Sequence, residues 1–302
     1  NTSRFPALNS LASNGMKYIF FGTPEFAAII LKKLIDAGFL PAAIVCNPDR
    51  PLGRKKIITP PPVKKLISGL PSDLSIEILQ PENIKEIKQK LSSINADVFV
   101  VAAYAKILPK EIIELPRLGT IGIHPSLLPK YRGTTHIQSV ILNGEQETGT
   151  TLFLIDELVD HGPILAASRL PIDENDAYET LLKKLAGLSG DLIVKNLPEY
   201  VGGGVIPKPQ NETEATYTKK IKTEDAYVDP EMLRQAQDGT SPENAKTILR
   251  KVLALNPEPG TWTMLNGKRT KILEAEVVEG KLKLKKIQIE GKKPTTLQKS
   301  FS

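Results

Sequence analysis

The chain has three histidines, and His124 is the one whose surroundings indicate chemistry. It ends the apolar run 118–124 and precedes a stiff loop, "PSLLPKYRG" (125–133), which contains two prolines. An unperturbed imidazole titrates near pH ~6.5, so a fixed histidine can act as a general acid or base, or donate a hydrogen bond to a transition state. A structural histidine that holds the loop is the alternative interpretation. The position at a strand end favours the chemical role.

Asp160 is the candidate partner of His124. It lies in a turn, Asp160-His161-Gly162, that follows an apolar strand-like stretch. An aspartate in a turn is most often only a turn former. If both residues lie at strand ends, the carboxylate could orient and charge the imidazole, although spacing alone does not show that they meet.

A basic loop, "CNPDRPLGRKKIITPPPVKK" (46–65), carries Arg50, Arg54, Lys55 and Lys56. Such a run is either a solvated loop or a phosphate-contacting one, and the rigid prolines support the second interpretation as much as the first. It is not a P-loop. Gly22-Thr23-Pro24 is not a G-x-G-x-x-G fingerprint either, so dinucleotide binding is unsupported.

Alternating strands and helices are expected to position these residues. Apolar strand-like runs occupy 17–22, 41–47, 96–104 and 118–124, and helical spacing occupies 23–38 and 82–95. This alternation predicts an α/β fold with a parallel sheet covered on both faces. Such sheets bind ligands beyond the carboxyl ends of their strands, where Gly22 and His124 both lie.

The C-terminal part has a different pattern. A long helix is predicted at 178–201, with a possible break near Gly187–Gly190, and another helix near 241–255. Short strands with turns at Asn266-Gly267 and Glu279-Gly280 suggest a small β-barrel of the OB type. The predicted domains are an extension or tag, an N-terminal domain, a Gly- and Pro-rich linker and a C-terminal domain, at 1–15, 16–201, 202–215 and 216–302.

Composition limits the possible classes of protein. The 302 residues are enough for two domains. No run of about 18 apolar residues appears, so no membrane span is expected. The net charge of +6 permits an anionic partner. The single cysteine, Cys46, excludes an internal disulfide and agrees with a reducing compartment. Three scattered histidines and one cysteine do not predict a metal site.

Met16 to about Lys293 resembles the folate-dependent formyltransferases, in particular those that act on methionyl-tRNA. The resembling segments are "FFGTPEFA" (20–27), "NPDRPLGRKKIITPPPVK" (47–64), "ADVFVVAAYAKILP" (96–109), "HPSLLPKYRG" (124–133), "TGTTLFLIDELVDHGPIL" (148–165), "ATYTKKI" (215–221), "LALNPEPGTW" (253–262) and "IEGKKP" (289–294). The loop at 124–129 alone would fit sugar and purine-pathway relatives as well. The basic loop and the C-terminal matches favour the tRNA-directed branch.

The resemblance implies a Rossmann-like formyltransferase domain followed by an OB-like tRNA-binding domain. It implies 10-formyltetrahydrofolate as formyl donor, no metal, and the α-amine of methionyl initiator tRNA as acceptor, in translation initiation. His124 would stabilise the oxyanion or shuttle protons, with Asp160 assisting. The implied folate-binding residues are Tyr104, Ile107, Leu108, Ser126, Leu127, Leu128 and Pro129. The implied tRNA-binding residues are Arg50, Arg54, Lys55, Lys56, Lys219 and Lys220.

Three positions depart from the family pattern. Gly122 replaces the asparagine of the family's Asn-x-His, and the lost oxyanion donor is typically worth about 10²–10³ in rate. His136 stands where proline is usual, and His161 where threonine is usual. We hypothesise that one of these histidines, or a water, supplies the missing donor, with His136 preferred. The alternative is that both are neutral surface histidines.

Two other functions compete with the leading one. The chain could formylate a sugar-nucleotide amine, or it could be a non-catalytic tRNA- or folate-binding homologue, which Gly122 favours. We expect no DNA or membrane partner and a monomeric state. The expected location is the cytoplasm, or an organelle matrix if residues 1–15 are a transit remnant.

Overall fold

The computed structural model describes residues 15–297 except Arg54 and residues 72, 73 and 75. The predicted extension therefore lies outside the described residues, apart from Gly15. The helices are α1 (Glu25–Asp36), α2 (Pro62–Ser68), α3 (Lys88–Ile94), α4 (Lys110–Ile113), α5 (His136–Asn143), α6 (Tyr178–Val201), α7 (Pro230–Asp238) and α8 (Pro242–Leu255). The strands are β1 (Tyr18–Gly22), β2 (Ala43–Val45), β3 (Arg50–Leu52), β4 (Ile57–Thr59), β5 (Glu77–Leu79), β6 (Val98–Ala102), β7 (Thr120–His124), β8 (Glu147–Leu154), β9 (Ile164–Pro171), β10 (Trp262–Leu265), β11 (Lys268–Val278), β12 (Lys281–Ile289) and β13 (Thr295–Thr296).

A seven-stranded sheet with the order β5-β2-β1-β6-β7-β8-β9 carries the predicted α/β fold. The first five strands in this order run parallel to one another, namely β5, β2, β1, β6 and β7. All five residues of β1 are buried, as expected of a strand covered on both faces. β8 departs from the prediction because it runs antiparallel to β7, with Gly122 opposite Phe153 and His124 opposite Thr151. The sheet is therefore mostly parallel, with a reversed strand beside β7.

Helix α1 shows how the local sequence determines an element. Pro24 precedes it, and its apolar residues recur on the face that is buried. It ends at Asp36, and Gly38 shortly after it has a φ of +87°, a left-handed conformation that glycine adopts without a steric cost. The helix predicted over 23–38 is confirmed, with its regular part at Glu25–Asp36.

The chain divides into two compact units, each built from separated segments. The first unit comprises the described residues up to Arg132 together with Gly149–Leu170 and Lys183–Thr216. The second comprises Gly133–Thr148, Pro171–Leu182 and the described residues from Tyr217 onward. Residues 202–215, predicted as a linker, group with the first unit and include a 3-10 turn at Glu212–Glu214. The sequence-based domain boundaries stay a prediction.

The second unit contains a small antiparallel sheet in the C-terminal region, where the sequence predicts a small OB-like β-barrel. Its strand order is β10-β11-β12-β13, and α8 packs against α5, α7, β11 and β12. Both predicted turns are present. Asn266 and Gly267 have φ values of 49° and 71°, and Glu279 and Gly280 have 51° and 76°, as two-residue hairpin turns require.

Helix α6 runs without interruption from Tyr178 to Val201, so the possible break near Gly187–Gly190 is not observed. Gly190 lies directly against the side chain of Lys33, where a Cβ atom would collide. Close packing of α6 on α1 therefore explains this glycine. No helix within the described part of the chain is long and apolar enough to span a membrane.

Candidate active site

His124 and Asp160 face each other in the first unit. Nδ1 of His124 lies 3.5 Å from Oδ2 of Asp160, which is an ion-pair distance slightly longer than a normal hydrogen bond. His124 ends β7 and is only 5% exposed, while the Asp160 side chain is partly exposed. The two residues therefore lie close together in the structure, which their spacing in the sequence alone could not show.

The other ring nitrogen of His124 fixes the orientation of the imidazole. Nε2 lies 2.9 Å from the carbonyl oxygen of Tyr131, and because a carbonyl only accepts, Nε2 carries the hydrogen. Nδ1 is then the nitrogen that gains or loses a proton while facing the Asp160 carboxylate. An imidazolium formed there is stabilised by that carboxylate, which is the arrangement a general acid and base needs.

Asp160 reaches His124 by a route other than the one predicted. The sequence predicts that both residues stand at strand ends on the same edge of the sheet. This is not the case, because β8 runs antiparallel to β7 and its last residue lies away from His124. Instead the loop 155–163 turns back, and the Leu154 N–H donates to the Pro163 carbonyl at 2.9 Å. Gly162 lies so close to the Leu154 carbonyl that no Cβ would fit. The glycine after Asp160-His161 therefore permits the return.

Gly122 lies two residues before His124 and on the same face of β7. A Cβ placed on Gly122 would stand 2.5 Å from Cε1 and 2.6 Å from Cζ of Phe153, and 3.0 Å from Cγ1 of Ile155. The Phe153 ring thus fills the space of the missing side chain. No room for an asparagine exists there unless that ring moves.

The loop after His124 is held by its own polar groups. Ser126 is fully buried, and its Oγ donates to the Lys130 carbonyl at 2.7 Å. Oγ1 of Thr151 donates to the Ser126 carbonyl at 2.7 Å and accepts from the Leu128 N–H at 3.1 Å. The hydroxyl of Ser126 thus shapes the loop. Folate contacts of Ser126, Leu127, Leu128 and Pro129 stay a prediction.

The second predicted folate segment has two environments. Tyr104 and Leu108 belong to the core, with the Tyr104 ring edge-on to Phe21 at 5.7 Å. Burial raises the pKa of Tyr104 to about 12, with a smaller contribution from Cys46. Ile107 is 91% exposed and is the member of this segment that a ligand can reach directly. Its folate role, like those of Tyr104 and Leu108, stays a prediction.

Comparison with known proteins now identifies the family. The model of the family described as "Formyl transferase" matches residues 16–197, and that of "Formyl transferase, C-terminal domain" matches 242–283. The chain belongs to the formyl transferase family. A methionyl-tRNA formyltransferase of Caldanaerobacter subterraneus is 41% identical over 267 residues, covering 87% of this chain and 82% of that protein. One of Kosmotoga olearia is 33% identical and covers 95% and 96%.

Solved structures agree with the fold. The methionyl-tRNA formyltransferase of Clostridium thermocellum superposes with a TM-score of 0.57 at 18% identity, covering 91% of this chain and 98% of that one. The sugar 3N-formyl transferase WlaRD gives a TM-score of 0.58 at 20% identity, covering 87% of each chain. At these identities the likeness concerns the fold alone.

The basic loop of this formyl transferase is a hairpin formed by β3 and β4. Lys55 and Lys56 are exposed, and Arg50 pairs with Glu82 at 2.6 Å on the surface. Exposed surface pairs contribute little, so Arg50 can exchange its partner for a phosphate at small cost. Arg54 lies outside the described residues. The predicted tRNA contacts of all four stay predictions.

The base of the hairpin contains residues that sequence reasoning missed. Nζ of Lys64 donates to both carboxylate oxygens of Asp49 at 2.9 Å, and to Oε1 of Gln80 at 2.8 Å. Nε2 of Gln80 donates to Oδ1 of Asp49 at 2.8 Å. These bonds hold the pKa of Asp49 below its ordinary value, with Gln80 the largest cause. The three side chains join the start of the hairpin to α2 and to the end of β5.

The remaining predicted residues of the formyl transferase lie in different settings. His161 is in the first unit, with Nδ1 2.6 Å from Oδ2 of Asp156 and Nε2 3.6 Å from Oε1 of Glu212. His136 begins α5 in the second unit, where its Nδ1 lies 2.9 Å from the Gly133 carbonyl. A replacement donor role for either stays a prediction.

Lys219 and Lys220 are exposed in the second unit, as a tRNA contact requires. Among the described residues, no group of three or more His, Cys, Asp or Glu could hold a metal ion.

Proposed function

We propose that this formyl transferase moves the formyl group of 10-formyltetrahydrofolate to the α-amine of methionyl initiator tRNA. The observation that carries the proposal is the His124–Asp160 pair at the end of β7, in a chain that aligns over both domains with proteins named methionyl-tRNA formyltransferase. The product would be used in translation initiation, in the cytoplasm or an organelle matrix.

The His124–Asp160 geometry suits attack by an amine on a formyl carbon. The amine nitrogen forms a bond to the formyl carbon, and the carbonyl electrons move onto oxygen to give a tetrahedral oxyanion. His124 takes the proton that the amine loses and later returns it to N10 of the folate as the carbon–N10 bond breaks. Asp160 stabilises the imidazolium between these two steps, 3.5 Å from Nδ1.

A folate donor is supported by the family and by its structural relatives. HypX of Aquifex aeolicus, a fold relative at 18% identity, has been solved with tetrahydrofolic acid. In this chain the folate would lie against the 104–108 and 126–129 segments, with Ile107 as an exposed contact. These segments follow β6 and β7, at the edge of the sheet where His124 stands.

The tRNA acceptor is supported by two basic regions. The β3–β4 hairpin presents Lys55 and Lys56 to solvent, and the second unit presents Lys219 and Lys220. Lysines that neutralise phosphates supply most of the sequence-independent affinity for nucleic acid. We assign these side chains, with Arg50 and Arg54, to the RNA backbone.

The test is formyl transfer from 10-formyltetrahydrofolate to charged initiator tRNA, with His124→Ala measured in parallel. We expect transfer by the wild type and a loss of at least about 100-fold in the variant, the usual size of a general acid–base contribution. Transfer to an amino-sugar nucleotide but not to tRNA would indicate a sugar enzyme. Binding of tRNA or folate without any transfer would indicate a non-catalytic homologue.

A further inference from the structure

A short segment connects the two regions of the first unit that carry the candidate catalytic pair, the end of β7 and the loop that contains Asp160. Residues 208–216, which we call the strap, lie in the first unit and mostly within the predicted linker. At one end Lys208 and Ile164 exchange backbone hydrogen bonds of 2.7 and 2.8 Å. At the other end the Thr216 carbonyl accepts from the Arg132 N–H at 2.8 Å. The strap therefore spans from the first residue of β9 to the loop after β7.

Gln210 of the strap holds the backbone around Asp160. Its Nε2 donates to the Asp160 carbonyl at 2.9 Å and to the Gly162 carbonyl at 2.7 Å. Asp160 has a φ of +50°, a conformation that costs a non-glycine residue free energy and persists only where its surroundings hold it. The Gln210 amide is such a restraint, since it binds the carbonyls on both sides of His161.

Arg132 in turn holds Gln210. The arginine is fully buried, and its Nε and Nη2 donate to Oε1 of Gln210 at 3.2 and 2.8 Å. Its Nη1 and Nη2 also donate to the two carboxylate oxygens of Glu212 at 2.9 and 2.6 Å. A buried charge must be paired, so this arginine leaves the Gln210 amide little freedom to rotate. With its oxygen on Arg132, the amide must point both N–H groups toward Asp160 and Gly162.

The same strap also supports His124. Oγ1 of Thr216 accepts from the Tyr131 N–H at 2.8 Å, and the Tyr131 carbonyl is the acceptor for Nε2 of His124. One segment thus restrains the backbone of Asp160 and the residue that orients the His124 ring.

We propose that Gln210 is a positioning residue for formyl transfer, which sets the approach of the Asp160 carboxylate to His124 through its two amide hydrogen bonds. The proposal rests on the proposed function, in that His124 and Asp160 carry the proton transfers. It gives the strap a role in the reaction.

Two substitutions distinguish a positioning role of Gln210 from a role in which it only accepts hydrogen bonds from Arg132. Gln210→Met keeps the length of the side chain and removes all its hydrogen bonds. Gln210→Glu keeps acceptor oxygens for Arg132 and removes both N–H donors. Gln146→Met is the matched control, since Gln146 is exposed and also donates to a backbone carbonyl, that of Gly144 at 3.1 Å.

We expect both Gln210 variants to lose about 10- to 100-fold in kcat with unchanged KM for tRNA and folate, as misplacement by up to ~1 Å produces.

A second readout does not depend on turnover. The ring proton resonances of His124, assigned by their absence in His124→Ala, are recorded by NMR at one pH for each variant. We expect them to move in both Gln210 variants and to stay in place in Gln146→Met. A Gln210→Glu variant with wild-type kcat and an unmoved His124 signal would overturn the proposal, because Gln210 would then serve only as a hydrogen-bond acceptor for Arg132. If the wild type transfers no formyl group, the proposed function fails and the NMR comparison alone decides whether Gln210 positions the pair.

Discussion

The ring of Phe153 occupies the space in which a side chain at residue 122 would stand. The two residues are directly opposite each other in the β7–β8 ladder, and the end of the ring lies 2.5–2.6 Å from the position of a Cβ on Gly122. Cross-strand glycine–aromatic pairs stabilise a sheet because the ring covers the exposed backbone. Gly122 is therefore one half of a packed pair rather than a vacant place for the family asparagine.

This packing predicts the effect of restoring the asparagine. Gly122→Asn alone should lower stability by about 1–3 kcal/mol, the usual cost of overpacking, and should not raise the rate. Gly122→Asn combined with Phe153→Leu removes the colliding ring atoms and leaves Cγ1 of Ile155, at 3.0 Å from the Cβ position, as the remaining close contact. Formyl transfer by the double variant should exceed that of Phe153→Leu by up to about 100-fold, the value of one oxyanion donor.

Phe153→Leu alone is the control for this pair, because it reports the cost of the lost ring. The free energies of unfolding of the three variants complete a double-mutant cycle, in which contact between the two sites appears as non-additivity. Equal rates for Phe153→Leu and the double variant would mean that residue 122 cannot host the donor in this chain.

Asp160→Asn should lower kcat by about 100-fold or more and change KM little, because the amide cannot stabilise an imidazolium 3.5 Å away. Steady-state kinetics with both substrates provides the measurement. Asp191→Asn is the control, since Asp191 is exposed and pairs with Lys33 on the surface. A wild-type kcat in Asp160→Asn would exclude Asp160 from the proton transfer.

Replacing Lys55 and Lys56 together by alanine should raise the KM for tRNA and leave the KM for the folate donor unchanged. Each lost phosphate contact should also reduce the slope of log KM against log salt by about 0.9. Lys32→Ala is a suitable control because Lys32 is exposed and paired with Asp36. If the salt dependence of the double variant matches that of the wild type, the hairpin is only a solvated basic loop.

Local patterns made much of this molecule predictable. The buried strand β1, the helix α1 and the turn at Asn266-Gly267 all follow from residues within a few positions of each other. The direction of β8 and the hydrogen bonds of Gln210 did not follow. Gln210 lies 50 positions from Asp160 and 78 from Arg132, and hydrogen bonds over such separations leave no periodic trace in a sequence. The candidate pair could be proposed because His124 stands at a strand end and Asp160 lies in a turn after another apolar stretch, whereas the contacts that support the pair depend on the fold.

The strap should loosen in acid through Glu212. Hydrogen bonds from the Arg132 guanidinium hold the pKa of this carboxyl below its ordinary value of 4.5. A carboxyl with a lowered pKa contributes stability that is fully present above the ordinary value and is lost as the pH falls through the folded one. In urea unfolding, the wild type should therefore exceed Glu212→Gln in stability at pH 7, and the difference should shrink as the pH falls below 4.5. Glu214→Gln, on the same strap, should keep the pH dependence of the wild type. A difference between wild type and Glu212→Gln that stays constant across the acid range would show that the ionised carboxylate is not what fastens the strap to Arg132.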